Sequence, residues 1–114
     1  MARKGFNKYG AKKATLGGIK FDSKKEMQRY TELQLLQRGG EISYLERQVK
    51  LDLVGRDGPL LTRTGRKMRI TVDFRYTDNR TGLTVWEDAK GYPTRDYEVR
   101  RSVAAAMGVD VTEV

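Results

Sequence analysis

From Met68 to Tyr76 apolar and polar residues alternate without a break, and this run constrains the fold more than any other stretch. A period of two is the signature of a half-buried β-strand, with Met68, Ile70, Val72, Phe74 and Tyr76 on one face and Asp73 on the other. Asp78-Asn79-Arg80-Thr81-Gly82 follows, with the residue types of a hairpin turn, and leads into a second strand-like run over residues 83–90. On that run Leu83, Val85, Glu87 and Ala89 share one side, and Thr84, Trp86, Asp88 and Lys90 share the other. The hairpin therefore brings Asp73 and Asp88 into one neighbourhood, with Lys90 two residues further on. Aspartate is disfavoured inside strands, so Asp73 needs a reason to be there. A carboxylate able to hold a divalent cation beside an ammonium able to orient water provides one.

The flanking segments read as helices and further strands. Ser23 is a good helix N-cap, and Ser23-Lys24-Lys25-Glu26 fits a capping box in which Glu26 reaches back to the cap's N–H. The helix should run from residue 24 to about 38, with Met27, Tyr30, Leu33 and Leu36 as its apolar positions and Gly39-Gly40 as its stop. Alternation of Val49, Leu51 and Leu53 suggests a strand beginning near Gln48, and residues 55–66 form a loop rich in Gly and Arg. Past a break at Gly91, Tyr92 and Pro93, Thr94 caps a second helix over residues 95–107, with Tyr97, Val99, Val103, Ala104 and Met107 as interior positions. Residues 109–114 alternate as a last strand. The order is helix, three strands, helix, strand, so the expected fold class is α/β, a mixed sheet flanked by helices.

Composition narrows the chemistry. The 114 residues make one domain by size, and they include no cysteine and no histidine. Cys and His nucleophiles, the Ser-His-Asp triad and zinc sites of the usual ligands are thereby excluded. Carboxylates, lysines, tyrosines and hard cations remain. No apolar stretch approaches the roughly 18 residues that cross a bilayer, and the expected location is cytoplasmic. The net charge of +8 favours a polyanionic partner. Arg3, Lys4, Lys8, Lys12, Lys13 and Lys20 all precede the first acid, Asp22, so residues 1–17 read as a flexible basic arm ahead of a domain over 18–114. Phe6 and Tyr9 lie among these charges and are suited to stack on bases. Lys24, Lys25, Arg95, Arg100 and Arg101 extend the basic surface along the helices, where they suit phosphate contact and surface solubility equally well.

The stretches Phe21-Asp22-Ser23-Lys24-Lys25-Glu26, Val72-Asp73-Phe74-Arg75-Tyr76 and Glu87-Asp88-Ala89-Lys90-Gly91, set on an αβββαβ order, resemble the PD-(D/E)XK nuclease superfamily. Within it they look like small phage and prophage proteins similar to junction-resolving endonuclease I. The resemblance implies a restriction-endonuclease-like core and Mg²⁺, with Mn²⁺ able to substitute, as cofactor. It implies Asp73 and Asp88 as metal ligands joined by the Ala89 backbone carbonyl, Lys90 as the water-positioning residue, and Glu26 as an outer carboxylate of the metal site. The proline of the motif is absent, with Val72 in its place. Strand facing selects Asp88 over Glu87, and Gln48 is a possible auxiliary from the neighbouring strand.

On these grounds the expected function is Mg²⁺-dependent hydrolysis of DNA phosphodiesters, on branched DNA such as a Holliday junction, by a homodimer that makes two symmetric cuts. The small size leaves no room for a separate base-reading module, which favours shape over sequence as the feature recognised. Two alternatives stay open: a non-catalytic basic nucleic-acid-binding protein, and a nuclease of the same fold that nicks linear duplex or single strands.

Overall fold

A computed structural model describes residues 14–89 and 94–114. Residues 1–13 and 90–93 lie outside it, and with them Arg3, Lys4, Lys8, Lys12, Lys13, Lys90 and the break at Gly91-Tyr92-Pro93. The chain forms a mixed α/β structure. Strands β1 (Ala14–Leu16) and β2 (Ile19–Phe21) precede helix α1 (Lys24–Arg38), and β3 (Ile42–Asp52) follows it. A small excursion, β4 (Val54–Gly55) and β5 (Gly58–Pro59), leads to the long hairpin β6 (Arg69–Asp78) and β7 (Leu83–Asp88). Helix α2 (Arg95–Ala106) and β8 (Val111–Glu113) complete the order. The main sheet runs β3-β6-β7-β8, antiparallel except for the parallel β7–β8 pair. Antiparallel neighbours can be joined by tight turns, whereas the parallel pair needs a crossover, and α2 is that crossover.

Local signals fix the helices. Ser23 Oγ accepts from the Glu26 N–H at 3.1 Å, and Thr94 Oγ1 accepts from the Tyr97 N–H at the same distance. The capping box is corrected in one respect: Glu26 Oε1 accepts from the Asp22 N–H, one residue ahead of the cap. Its other oxygen is drawn toward the sheet, which pulls the carboxylate off the path back to Ser23. At the far end of α1, Gly40 adopts φ 82° while its N–H bonds to Gln37 O and the Glu41 N–H bonds to Leu36 O. This is the double bond of a Schellman stop, and glycine supplies the left-handed residue it needs. On α2, Tyr97 and Ala104 are buried, but Val99 is 53 % exposed and is not the interior position its apolarity suggested.

Three expectations change at the sheet. The proposed boundary at residue 17 cuts the β1–β2 hairpin, in which Leu16 pairs with Ile19 around Gly17-Gly18, so the folded part begins upstream of Gly18. β3 starts at Ile42 rather than near Gln48. Its first half hides its period because Tyr44 and Gln48 adopt positive φ, 59° and 51°, and each disturbs the alternation. The third change concerns the apolar face of β6, which does not serve one core. Ile70 and Val72 pack with Tyr97 and Ala104 of α2, whereas Phe74 and Tyr76 pack with Leu33 of α1. The division falls at Asp73, where Val72, Asp73 and Phe74 are buried in succession. β3 divides in step, with Leu45 packed on the α1 cluster and Val49 and Leu51 on the α2 cluster. No helix among the described residues is long and apolar enough to cross a membrane.

Candidate acidic site

Where β6 and β7 part, side chains take over from the backbone ladder. The last described pair is Phe74 with Glu87. One step on, the Asp73 N–H donates to Asp88 Oδ1 at 3.2 Å, and the Ala89 N–H donates to Asp73 Oδ2 at 2.8 Å. Each strand's backbone is thus satisfied by the other strand's carboxylate. From β3, Gln48 Nε2 donates to Asp73 Oδ1 at 3.1 Å and to Glu26 Oε2 at 2.9 Å. Its left-handed backbone, about 1–2 kcal/mol unfavourable for a residue with a Cβ, lies at the point where β3 turns its side chains from one cluster to the other. A continuous chain of polar groups therefore runs Glu26–Gln48–Asp73–Asp88. All three acids are buried, Asp88 completely.

Burying carboxylates next to one another is unfavourable. Glu26 is held above its ordinary pKa of 4.5, first by burial and then by the charge of Asp73, against the Asp22 N–H and the Arg47 guanidinium. On the α2 side the Tyr97 hydroxyl is held above its ordinary pKa, first by burial and then by the Asp88 carboxylate. Arg47 Nη2 stands 3.5 Å from Glu26 Oε2, a loose contact, while its guanidinium lies 4.4 Å from the centre of the Phe21 ring. An all-oxygen donor set of this kind suits a hard divalent cation, because a carboxylate oxygen that accepts one hydrogen bond keeps a second lone pair. Among the described residues no three acids form one compact metal-holding group. The Gln48 amide stands between Glu26 and Asp73, so Asp73 and Asp88 are the pair that could hold a cation. Mg²⁺ is commonly held by one or two carboxylates, with water and substrate phosphate completing its shell, so the pair fits it. Ala89 joins the network through its N–H, a bond that leaves its carbonyl for the role the resemblance implies.

Glu87, one residue before Asp88, lies in a different environment. Arg29 Nε and Nη2 donate to its two oxygens at 2.8 and 2.7 Å, and the Tyr76 hydroxyl bonds the second of them. Arg29 also reaches Glu32. The Arg29–Glu87 pair balances the buried carboxylate and locks α1 to β7. Burial, then the hydrogen bond to Glu87, pushes the Tyr76 hydroxyl up to about 12.

The remaining candidate residues are dispersed. Lys20, Lys24 and Lys25 are exposed on β2 and the first turn of α1, and Arg95 is exposed at the start of α2. Arg100 is committed to Asp96 and to the Arg69 carbonyl, and Arg101 to Glu98. Trp86 packs against the α2 cluster with the Arg75 guanidinium 5.0 Å from its ring centre. Sequence reasoning misses Arg29, Tyr76 and Arg47. The available signal is Arg29, a charge three residues from Glu26 and beside the apolar positions Tyr30 and Leu33, where the helix meets the sheet.

The fold and site define a small α/β protein with buried acids clustered where the central hairpin of a mixed sheet opens. The chain belongs to the family described as "Protein of unknown function (DUF1064)", whose model matches residues 6–112. No curated protein and no solved structure matches it.

Proposed function

We propose that the chain is a Mg²⁺-dependent DNA endonuclease of the PD-(D/E)XK kind, its α/β sheet and two helices forming the restriction-endonuclease-like core. The observation that carries this reading is the Glu26–Gln48–Asp73–Asp88 chain, in which three buried acids converge where the hairpin opens into the D-x-K stretch. A fold that only binds nucleic acid gains nothing from that arrangement, whereas one that recruits a hard cation does.

In this mechanism Asp73 and Asp88 would hold the metal, Mg²⁺ or Mn²⁺, which when bound would stabilise charge at the phosphoryl oxygens and make a water more acidic. The chain's own residues do the positioning. The Asp73 and Ala89 N–H groups fix one oxygen of each aspartate, Gln48 fixes Asp73 relative to Glu26, and Tyr97 steadies Asp88. Lys90, in the D-x-K position, orients the attacking water. The basic arm supplies sequence-independent phosphate contacts, and the preferred substrate is branched DNA cut by a homodimer in the cytoplasm.

The test is incubation with a four-way junction, a linear duplex and a single strand, in Mg²⁺ or EDTA, alongside Asp88→Asn and Lys90→Ala. Metal-dependent cleavage lost in both variants supports the reading, and two symmetric nicks confined to the junction establish the resolvase. Cleavage that persists in EDTA or survives both substitutions sinks the mechanism. Binding without cleavage under every metal assigns a non-catalytic nucleic-acid-binding role.

A further inference from the structure

The sheet face beside the acids is open on one side. On β6, Arg69 and Thr71 are exposed while Ile70 and Val72 point into the α2 cluster, and Asp73, next on the same row, is buried where Gln48 and Glu26 cover it. On β3 the same holds: Val49 and Leu51 pack on the α2 cluster, and Lys50, paired with Thr71 in the ladder, is exposed. Lys50 and Thr71 thus form an uncovered platform that continues the row of the acidic site. Two strand residues advance about 7 Å, on the order of the step between neighbouring phosphates of one nucleic-acid strand.

The charges on these strands point the same way. Arg47 has Glu26, Arg69 has Asp52 at 2.6 Å, and Arg75 has Glu46. Among the described residues Lys50 is the cation of β3 and β6 without an ion-pair partner. The Asp52–Arg69 pair closes the platform at its outer end, so a bound backbone meets one free ammonium and one hydroxyl between that pair and the acids.

We propose that Lys50 and Thr71 form a phosphate seat for the nucleotide adjacent to the one at Asp73 and Asp88. The seat fixes the course of a DNA backbone along β3 and β6. Its adjacency to a scissile phosphate rests on the nuclease reading; the seat itself does not. A phosphate is favoured over a protein carboxylate because Lys50 and Thr71 together offer an ammonium and a hydroxyl to one multi-oxygen anion at a fixed spacing from a second site.

The experiment measures binding of a labelled DNA duplex to the full chain in EDTA, where no cutting is needed. Lys50→Ala is expected to weaken binding about tenfold at low salt and to lower the slope of log K against log salt by about 1. Thr71→Val should weaken it about threefold, less than the loss of a charge. Arg38→Ala removes an exposed charge 12 residues along α1 from Glu26, about 18 Å away, and should change affinity less than about twofold. A single methylphosphonate scanned along one strand should find a position where neutralisation hurts the natural protein but not Lys50→Ala. Equal losses for Lys50→Ala and Arg38→Ala, or an unchanged salt slope, overturn the seat. So does equally Lys50-dependent binding of polyglutamate, which would assign the platform to an acidic protein surface. A protein that binds through Lys50 and never cuts keeps the seat and loses the nuclease.

Discussion

Glu87 and Asp88 are neighbours in sequence and both are buried, yet their surroundings are opposites. Glu87 meets a bidentate guanidinium and a phenol on the α1 side, so its charge is balanced within the protein. Asp88 meets the backbone of another aspartate and a tyrosine, and Asp73 beside it is linked by an amide to a third acid. A strand that alternates its faces can place two such environments one residue apart. Burial alone therefore does not separate a structural acid from a functional one. The groups that hold each acid do: a bidentate guanidinium for Glu87, the backbone N–H of another acid for Asp88.

The comparison fails if the two acids behave alike on substitution. The largest effect is expected for Asp88→Asn: cleavage falls about a thousandfold, near 4 kcal/mol in the barrier, while stability in urea without metal changes by less than about 1 kcal/mol. Asparagine keeps an oxygen for the Asp73 N–H, so that bond survives while the charge is removed. Single-turnover cleavage and urea unfolding on the same samples check both halves. On the other face the order reverses. Arg29→Ala leaves Glu87 buried without its cation and should cost about 3–5 kcal/mol of stability. A loss below 1 kcal/mol in urea melts would remove the structural half of the contrast.

A smaller effect concerns Tyr76, whose hydroxyl titrates at about 12 instead of 10.0. Its folded pKa is raised, so the protonated hydroxyl contributes stability that is complete below pH 10 and is lost as pH rises through about 12. Tyr76→Phe should cost about 1–3 kcal/mol at neutral pH, because a buried carboxylate loses a donor. It should also flatten the alkaline decline of stability between pH 10 and 12, leaving the part due to Tyr97. A variant whose alkaline curve parallels that of the natural protein would show that Tyr76 does not sense Glu87.

The parts of this molecule legible in sequence are those where the local signal and the tertiary packing agree. Ser23, Thr94 and the Gly39-Gly40 stop mark both helices within a residue, and the strict alternation of β6 with the Asp78–Gly82 turn gives the hairpin and hence the approach of Asp73 to Asp88. The first half of β3 was not legible, because Tyr44 and Gln48 take left-handed conformations that no residue type there announces. The division of the β6 face between two clusters was hidden for a different reason: alternation says which residues share a face and not which helix covers each part of it. The Arg29–Glu87 pair joins residues 58 apart, and a single sequence carries no signal for such pairing.

Gln48 is where illegibility and chemistry coincide, and it gives the finest test of the comparison. Its side chain spans Glu26 and Asp73 only because its backbone is left-handed and its amide long enough to reach both. Asparagine tolerates the left-handed region, but its shorter side chain cannot make both bonds. Gln48→Asn is therefore expected to keep stability within about 1 kcal/mol and DNA affinity in EDTA within about twofold, while cleavage at saturating DNA falls about tenfold, near 1.4 kcal/mol. Loss of cleavage without loss of binding would mark Gln48 as a residue that positions the acids, whereas a large fall in stability would show the acidic chain to be structural, like its neighbour on the other face of β7.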